Sequence, residues 1–466
     1  MRAEIAQLLA MADTAVRQRQ YGQALPMLSR ALALDVEGVA PAYARLLAGM
    51  ALTGWPEQLE ADLVTCLHAG SVDPQTLART AARMLLVKYP TLVVAEDALW
   101  AAFLTRCINV DPAMEARLVW LAGQALPAGL REALAVQAFA SEYVWGGEGL
   151  GVPLAGAAEI EAERKLAENI PSLLPRPSPG KEEGKDRVVS EAVRAQYETN
   201  PYPRWRAPPV PHPVSIAQHL AALGAPQAEP LEILVAGCGT GFEPIDMARM
   251  DPLLAITALD LSAASLAYGQ RMASRLGVDN VRFVQGDILD VAQLGQRFNL
   301  ISSTGVLHHM ERPDEGLAAL TGALAPGGVL RIALYSERAR AWVAEAHRAI
   351  AAQGWDIRTF RAHVLSLPAD APLARLRESD DFYTTSGCRD LCFHVREHWY
   401  RLPAIGEMLA VAGLDLLMLD APPEAEARFA AMHGDADRHD LALWDAVEAA
   451  HPHLFAGMFH LWARKA

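Results

Sequence analysis

The sequence predicts an α/β protein whose C-terminal part is a doubly wound sheet and whose N-terminal part is all helix. Three observations carry this. The apolar run Ile233-Leu234-Val235-Ala236 ends in Gly237-Cys238-Gly239-Thr240-Gly241, a strand that stops on closely spaced glycines. A second apolar run, Ala255 to Leu259, stops on Asp260. Residues from Met1 to about Pro171, by contrast, read as helix after helix. Glycines at a strand end let the backbone approach a ligand without Cβ interference, and an acid at the end of the next strand can hold a ribose diol. Together they point to a nucleoside cofactor.

Spacing narrows the cofactor. A dinucleotide fingerprint needs Gly-x-Gly-x-x-Gly, whereas Gly237, Gly239 and Gly241 are spaced Gly-x-Gly-x-Gly, with Pro244 in the first turn of the expected helix, so the loop fits NAD poorly. Further along, Phe283-Val284-Gln285-Gly286-Asp287-Ile288 ends another short apolar strand in an acid. Leu300-Ile301-Ser302-Ser303 leads into Thr304-Gly305-Val306-Leu307-His308-His309, and Leu324-Ala325-Pro326-Gly327-Gly328 precedes a strand from Val329 to Tyr335. This ordered set resembles the class I S-adenosylmethionine-dependent methyltransferases over roughly Leu231 to Tyr335. Asn299 departs from the acid the family often carries before its fourth strand.

The resemblance implies a Rossmann-like seven-stranded sheet that closes with a fifth strand, a helix, and two final strands paired as a hairpin. Leu402 to Ala412 reads as that helix, Gly413 terminates it, and Leu414 to Leu419 and Met458 to Trp462 read as the last strands. Residues 336–401 are then a cap insertion at the carboxyl edge of the sheet, where doubly wound folds bind ligands. The resemblance also implies roles. Asp287 would contact the adenine amino group, the amide of Ile288 a ring nitrogen, and Thr304 or Gly305 the methionine portion, while Asp260 would accept from both ribose hydroxyls.

Composition limits the remaining choices. A 466-residue chain that is 52% hydrophobic and 21% charged has material for two or three globular domains. A formal net charge of −14 repels a phosphate backbone, so no nucleic-acid partner is expected. The five cysteines include no Cys-x-x-Cys pair, which suggests reduced thiols and a cytoplasmic protein. No signal peptide is read at Met1-Arg2-Ala3-Glu4, and no apolar run reaches the roughly 18 residues that span a bilayer, so no membrane partner is expected either.

The division into domains follows composition. Within 1–170, Ala12, Ala15, Tyr21, Ala24, Leu28 and Ala31 fall at the offsets of one tetratricopeptide-like unit, though Val36 stands where its proline is expected. This α-helical repeat-like domain either forms a homodimer or offers a groove to a partner. Residues 171–187, rich in proline, glycine and mixed charge, read as a linker. Residues 188–466 form the methyltransferase domain.

Several side chains outside the glycine loop invite chemical roles. Tyr197-Glu198-Thr199-Asn200-Pro201-Tyr202-Pro203-Arg204-Trp205 is too aromatic for a free linker. It is either a lid, with Tyr197 or Tyr202 near the sulfonium and Arg204 on a carboxylate, or a clamp that packs the chain onto the sheet. The same segment resembles a bacterial group in which a helical repeat region is joined to a methyltransferase domain. His308 or His309 could act as general base, or cap a helix behind the site. In the insertion, Tyr383, Ser386, Arg389, Asp390, His394 and Glu397 either line the acceptor pocket or bury an ionic network beneath it. His394-x-x-Glu397-His398 formally inverts a zinc-protease signature, but no long helix surrounds it and no metal is expected. The expected activity is methyl transfer from S-adenosylmethionine to a protein or peptide; the alternatives are a small-molecule acceptor, with a helical domain that dimerises, or a non-catalytic scaffold that binds S-adenosylmethionine.

Overall fold

The computed structural model describes residues 1–50, 54, 56–174, 185–207, 214–225 and 228–465. The chain forms two compact units, each assembled from separated stretches. One comprises Met1–Glu159, Arg206–Val210 and Trp355–Cys388; the other comprises Ile160–Trp205, Pro211–Gly354 and Arg389–Ala466.

The first unit is helical. Arg2–Arg17 and Tyr21–Leu34 run antiparallel, because Arg30 near the end of the second lies 2.5 Å from Glu4 near the start of the first. Ala12, Ala15, Ala24, Leu28 and Ala31 are buried, so the small residues let the helices approach closely, whereas Tyr21 is exposed. Helices Val36–Ala48, Glu57–His68, Ala78–Lys88, Ala98–Arg106, Pro112–Ala122 and Ala128–Ala140 follow. Asp35, Asp97 and Asp111 start three of them by accepting from first-turn amides that have no partner inside the helix. Asp97 is also tied by Lys88, whose Nζ lies 2.7 Å from it and 2.8 Å from Glu60.

The sequence assigns all of 336–401 to a cap on the sheet. Its central stretch, Trp355–Cys388, instead belongs to the helical unit. Helix Ile357–Ser366 places Arg361, 2% exposed, 2.6 Å from Glu115, 4% exposed. Arg361 Nε also donates to Phe382 O at 2.6 Å. A buried carboxylate on helix Pro112–Ala122 requires a cation, and the inserted segment provides it.

The second unit is built on seven strands: β1 (Glu232–Ala236), β2 (Ala255–Asp260), β3 (Val281–Gln285), β4 (Phe298–Thr304), β5 (Leu324–Leu334), β6 (Leu414–Asp420) and β7 (Phe459–Lys465). Their order is β3-β2-β1-β4-β5-β7-β6. The first five pair in parallel, and β7 runs antiparallel between β5 and β6. The pleat sends alternate residues to opposite faces. Ile233 and Val235 join the core that holds Leu300, Met272 and Trp462, while Leu234 and Ala236 join that of Phe298, Ile301 and Trp444. Burial on both faces explains why β1 reads as an unbroken apolar run.

Two expectations change. β6 and β7 are neighbours, but the connection is no tight hairpin: helices Pro423–His433 and Leu441–Ala450 lie between them. Most of the expected linker, 171–187, lies outside the described residues, and its described ends are not a free tether. Gln285 N donates to Pro171 O at 2.8 Å and Leu173 N to Gln285 O at 2.7 Å, so the chain runs along the edge of β3. From Lys185 it is helical to Thr199. Among the described residues no helix is long and apolar enough to cross a membrane.

Candidate active site

The site grows from the carboxyl ends of β1 and β2. Past β1 the backbone turns through Gly237, Gly239 and Gly241, with φ of +76°, +52° and +80°, values that side chains disfavour. The close neighbours that exclude a Cβ are parts of the protein. At Gly237 it would lie 2.4 Å from Val306 Cγ2, and at Gly239 2.8 Å from Tyr202 O. Asp260 at the end of β2 holds this loop: its Oδ2 accepts from Gly239 N at 2.8 Å and its Oδ1 from Ser262 N at 2.9 Å. Burial pushes the Asp260 carboxyl up to about 6, despite the amides that favour its charge. Asp260 is thus the loop's anchor as well as the expected ribose ligand.

A cavity of about 320 Å³ opens over these ends. Gly237, Gly239, Asp260, Asp287, Ile288 and Thr304 line it. Asp287 also begins the short helix Ile288–Leu294 by accepting from Leu289 N at 3.0 Å. Gly241 is set back, where a Cβ would be 3.1 Å from Gly269 Cα; it serves the packing of helix Phe242–Met250 on helix Ala263–Leu276.

The segment from Tyr197 to Trp205 both lines the cavity and clamps the chain onto the sheet. Tyr197 and Tyr202 line the cavity. Trp205 is the clamp: its Nε1 donates to Thr240 O at 3.1 Å, its ring meets Phe242 edge-on at 5.4 Å, and its carbonyl accepts from Tyr268 Oη. Glu198 receives the amides of Ala263 and Ala264 at 2.8 and 3.1 Å, so the segment is pinned to the first turn of a helix. Arg204 does not reach the cavity. Its guanidinium lies 3.8 Å from Glu163 and 5.5 Å from the Tyr268 ring centroid, since the chain turns it to the outer face of helix Ala263–Leu276.

Of the histidine pair, His309 lines the cavity and His308 lies behind it. His309 Nδ1 donates to Arg396 O at 2.9 Å, which leaves Nε2 as the lone-pair nitrogen. Burial holds both rings well below the usual histidine range, so both are neutral. His308 is fully buried against the Tyr335 ring, 4.3 Å away.

The residues expected from the insertion separate. Asp390 lines the cavity and accepts from Tyr197 Oη at 2.6 Å. His394 stands behind, its Nε2 3.2 Å from Tyr197 Oη and its ring stacked on His309 at 3.5 Å and 18°. Glu397 pairs with Arg340 at 3.2 Å, and Arg340 covers the Tyr335 ring at 3.5 Å. Arg389 is absent from the cavity wall. Tyr383 and Ser386 lie in the helical unit, where Tyr383 Oη donates to Arg377 O at 2.9 Å and Ser386 Oγ to Glu142 Oε1 at 2.7 Å. Their polarity answers neighbouring groups there. Tyr335, Met310 and Met458 line the cavity and were missed. Tyr335 follows β5 at the carboxyl edge of the sheet, which is a signal the sequence does contain.

His309, Asp390 and His394 offer donor atoms within 4.8 Å of one another. The arrangement suits an ion poorly. Imidazole lone pairs lie in the ring plane, and two nearly parallel rings 3.5 Å apart cannot both aim at one ion at about 2.1 Å.

Residues 229–364 match the family model described as a methyltransferase domain. The sheet order is Rossmann-like, and the loop, Asp260 and Asp287–Ile288 at its carboxyl edge fit S-adenosylmethionine. The chain is similar to an uncharacterised Synechococcus protein, 36% identical over 257 residues that cover 49% of this chain and 60% of that one. It is 35% identical to a trans-aconitate 2-methyltransferase of Deinococcus radiodurans over 25% of this chain and 42% of the relative. It thus spans only about half the length of these relatives. Among solved structures, PKMT2 of Rickettsia typhi aligns at 16% identity and a TM-score of 0.43, covering 54% of this chain and 53% of that one.

Proposed function

We propose that the chain is an S-adenosylmethionine-dependent methyltransferase acting on a protein or peptide. One observation carries the activity: a single cavity gathers the glycine loop, Asp260, Asp287, Ile288, Thr304 and Gly305 from the ends of separate strands. When bound there, S-adenosylmethionine supplies an electrophilic methyl group. The chain's own residues would orient the cofactor and exclude water: Asp260 would accept from the ribose, the side-chain-free glycine loop would let the methionine part lie close to the backbone, and Tyr197 and Tyr202 would line its other side.

The acceptor reading rests on size. About 320 Å³ is at the low end for ligand pockets, which favours an acceptor that enters by a slim end, such as a side chain, over one enclosed whole beside the cofactor. On this reading the helical unit docks the peptide. A small-molecule acceptor is the second reading, favoured by the name of the Deinococcus relative. Calorimetry with S-adenosylhomocysteine tests the cofactor site. Labelled-methyl transfer into fractionated lysate then tests the acceptor: label in protein supports the first reading, label in small molecules the second. Binding without product in any fraction would leave a scaffold rather than an enzyme.

A further inference from the structure

The hydrogen-bond polarity of the wall around Tyr197 carries a choice of acceptor. Arg396 N donates to His394 Nδ1 at 3.2 Å, so the proton of this neutral ring is on Nε2 and points to Tyr197 Oη, 3.2 Å away. Tyr197 in turn gives its proton to Asp390 Oδ1 at 2.6 Å. The chain of donation therefore runs one way, from the Arg396 amide through His394 and Tyr197, and ends on a carboxylate. Beside it, His309 spends its only proton on Arg396 O, so Nε2 carries a lone pair. Among the described residues no hydrogen bond engages Asp390 Oδ2 or His309 Nε2. Arg340, the nearby cation, is answered by Glu397 at 3.2 Å and by the Tyr335 ring. Hence Tyr197, Asp390 and His309 present the cavity with acceptor atoms and a carboxylate whose nearby cation, Arg340, is hydrogen-bonded to Glu397, and these three side chains offer it no free donor.

From this we infer that the methyl acceptor is an amine, bound as its ammonium by Asp390 and deprotonated toward His309 Nε2. A carboxylate acceptor would meet Asp390 with like charge, and its oxygens would find no donor among Tyr197, Asp390 and His309. An ammonium brings the donors these three side chains lack. The step balances. One N–H proton passes to His309 Nε2, and the freed nitrogen lone pair forms the bond to the methyl carbon. The carbon–sulfur bond breaks with its electron pair going to sulfur, which ends as a neutral thioether. The inference rests on the methyltransferase reading above and adds the acceptor class to it.

Four-carbon probes isolate the charge and polarity of the head group. The full-length chain, saturated with S-adenosylhomocysteine, is titrated with n-butylamine, butyrate and 1-butanol by ligand-observed NMR, and the same probes are offered with labelled S-adenosylmethionine. Butylamine should bind at least tenfold more tightly than the other two and alone become methylated. In Asp390→Asn that preference should fall at least tenfold while S-adenosylhomocysteine affinity stays within threefold. Equal or better use of butyrate or butanol overturns the inference, as does the absence of butylamine binding and transfer. A tenfold loss of S-adenosylhomocysteine affinity in Asp390→Asn also overturns it, because Asp390 would then belong to the cofactor. The wild-type comparison needs no variant and decides the matter even if Asp390→Asn fails to fold. A wild-type chain that does not bind S-adenosylhomocysteine at all removes the methyltransferase reading first, and the amine inference with it.

Discussion

The two halves of one inserted stretch behave differently. From Trp355 to Cys388 the chain serves the helical unit through Arg361 on Glu115, Ser386 on Glu142 and Tyr383 on Arg377. From Arg389 onward it serves the sheet, giving Asp390 to the cavity, His394 to the Tyr197 hydroxyl and Glu397 to Arg340. The helix Thr385–Cys392 carries the chain from one role to the other. A polar, aromatic composition marks both halves, so density of chemical side chains did not separate structural from functional use. Partners did: a group whose hydrogen bonds are all met by neighbours is holding the fold, and one with an unmet atom on a cavity wall is free to meet a ligand.

The largest effect should come from the first half. Arg361→Ala leaves Glu115 as a buried unpaired charge and should cost about 3–5 kcal/mol in urea unfolding, while S-adenosylhomocysteine affinity of the folded protein stays within threefold. A comparable loss of affinity would show that the first half also shapes the site. Next, Asp260→Ala should weaken S-adenosylhomocysteine binding by roughly 1.5–3 kcal/mol in calorimetry, because the ribose acceptor and the anchor of Gly239 are lost together. Unchanged affinity removes Asp260 as the ribose ligand.

Acid should act on the same group. The Asp260 carboxyl is raised to about 6 in the folded chain, so it takes up a proton as the pH falls through that value. Ribose hydroxyls donate to the charged form, so affinity should be flat above pH 7 and about tenfold weaker at pH 5. Affinity that holds or rises toward pH 5 contradicts that assignment. The smallest effect tests the first half again: Ser386→Ala removes one hydrogen bond to Glu142 and should cost about 1 kcal/mol of stability, with no change in cofactor binding. If it lowers methyl transfer instead, the boundary between the two halves lies earlier than Cys388.

What the sequence alone determined is the local part. Strand β1, its glycine turn and the acid ending β2 lie close together in the chain, and their burial pattern and backbone needs are written in neighbouring residues, so Gly237, Gly239, Asp260, Asp287 and Ile288 are legible in the sequence as cavity-lining residues. The last two strands were legible for the same reason, but the hairpin pattern gave no sign of the helices Pro423–His433 and Leu441–Ala450 between them. Arg204 was misplaced because its type was readable and its direction was not. What only the tertiary structure decided are pairings over long separations: Tyr197 with Asp390, 193 residues apart, and Arg361 with Glu115, 246 apart. Such contacts leave no period and no spacing in a single chain. They exist because sheet and helices, once packed for apolar burial, bring polar groups out of water together, and each then has to find its partner in whatever the fold has placed beside it.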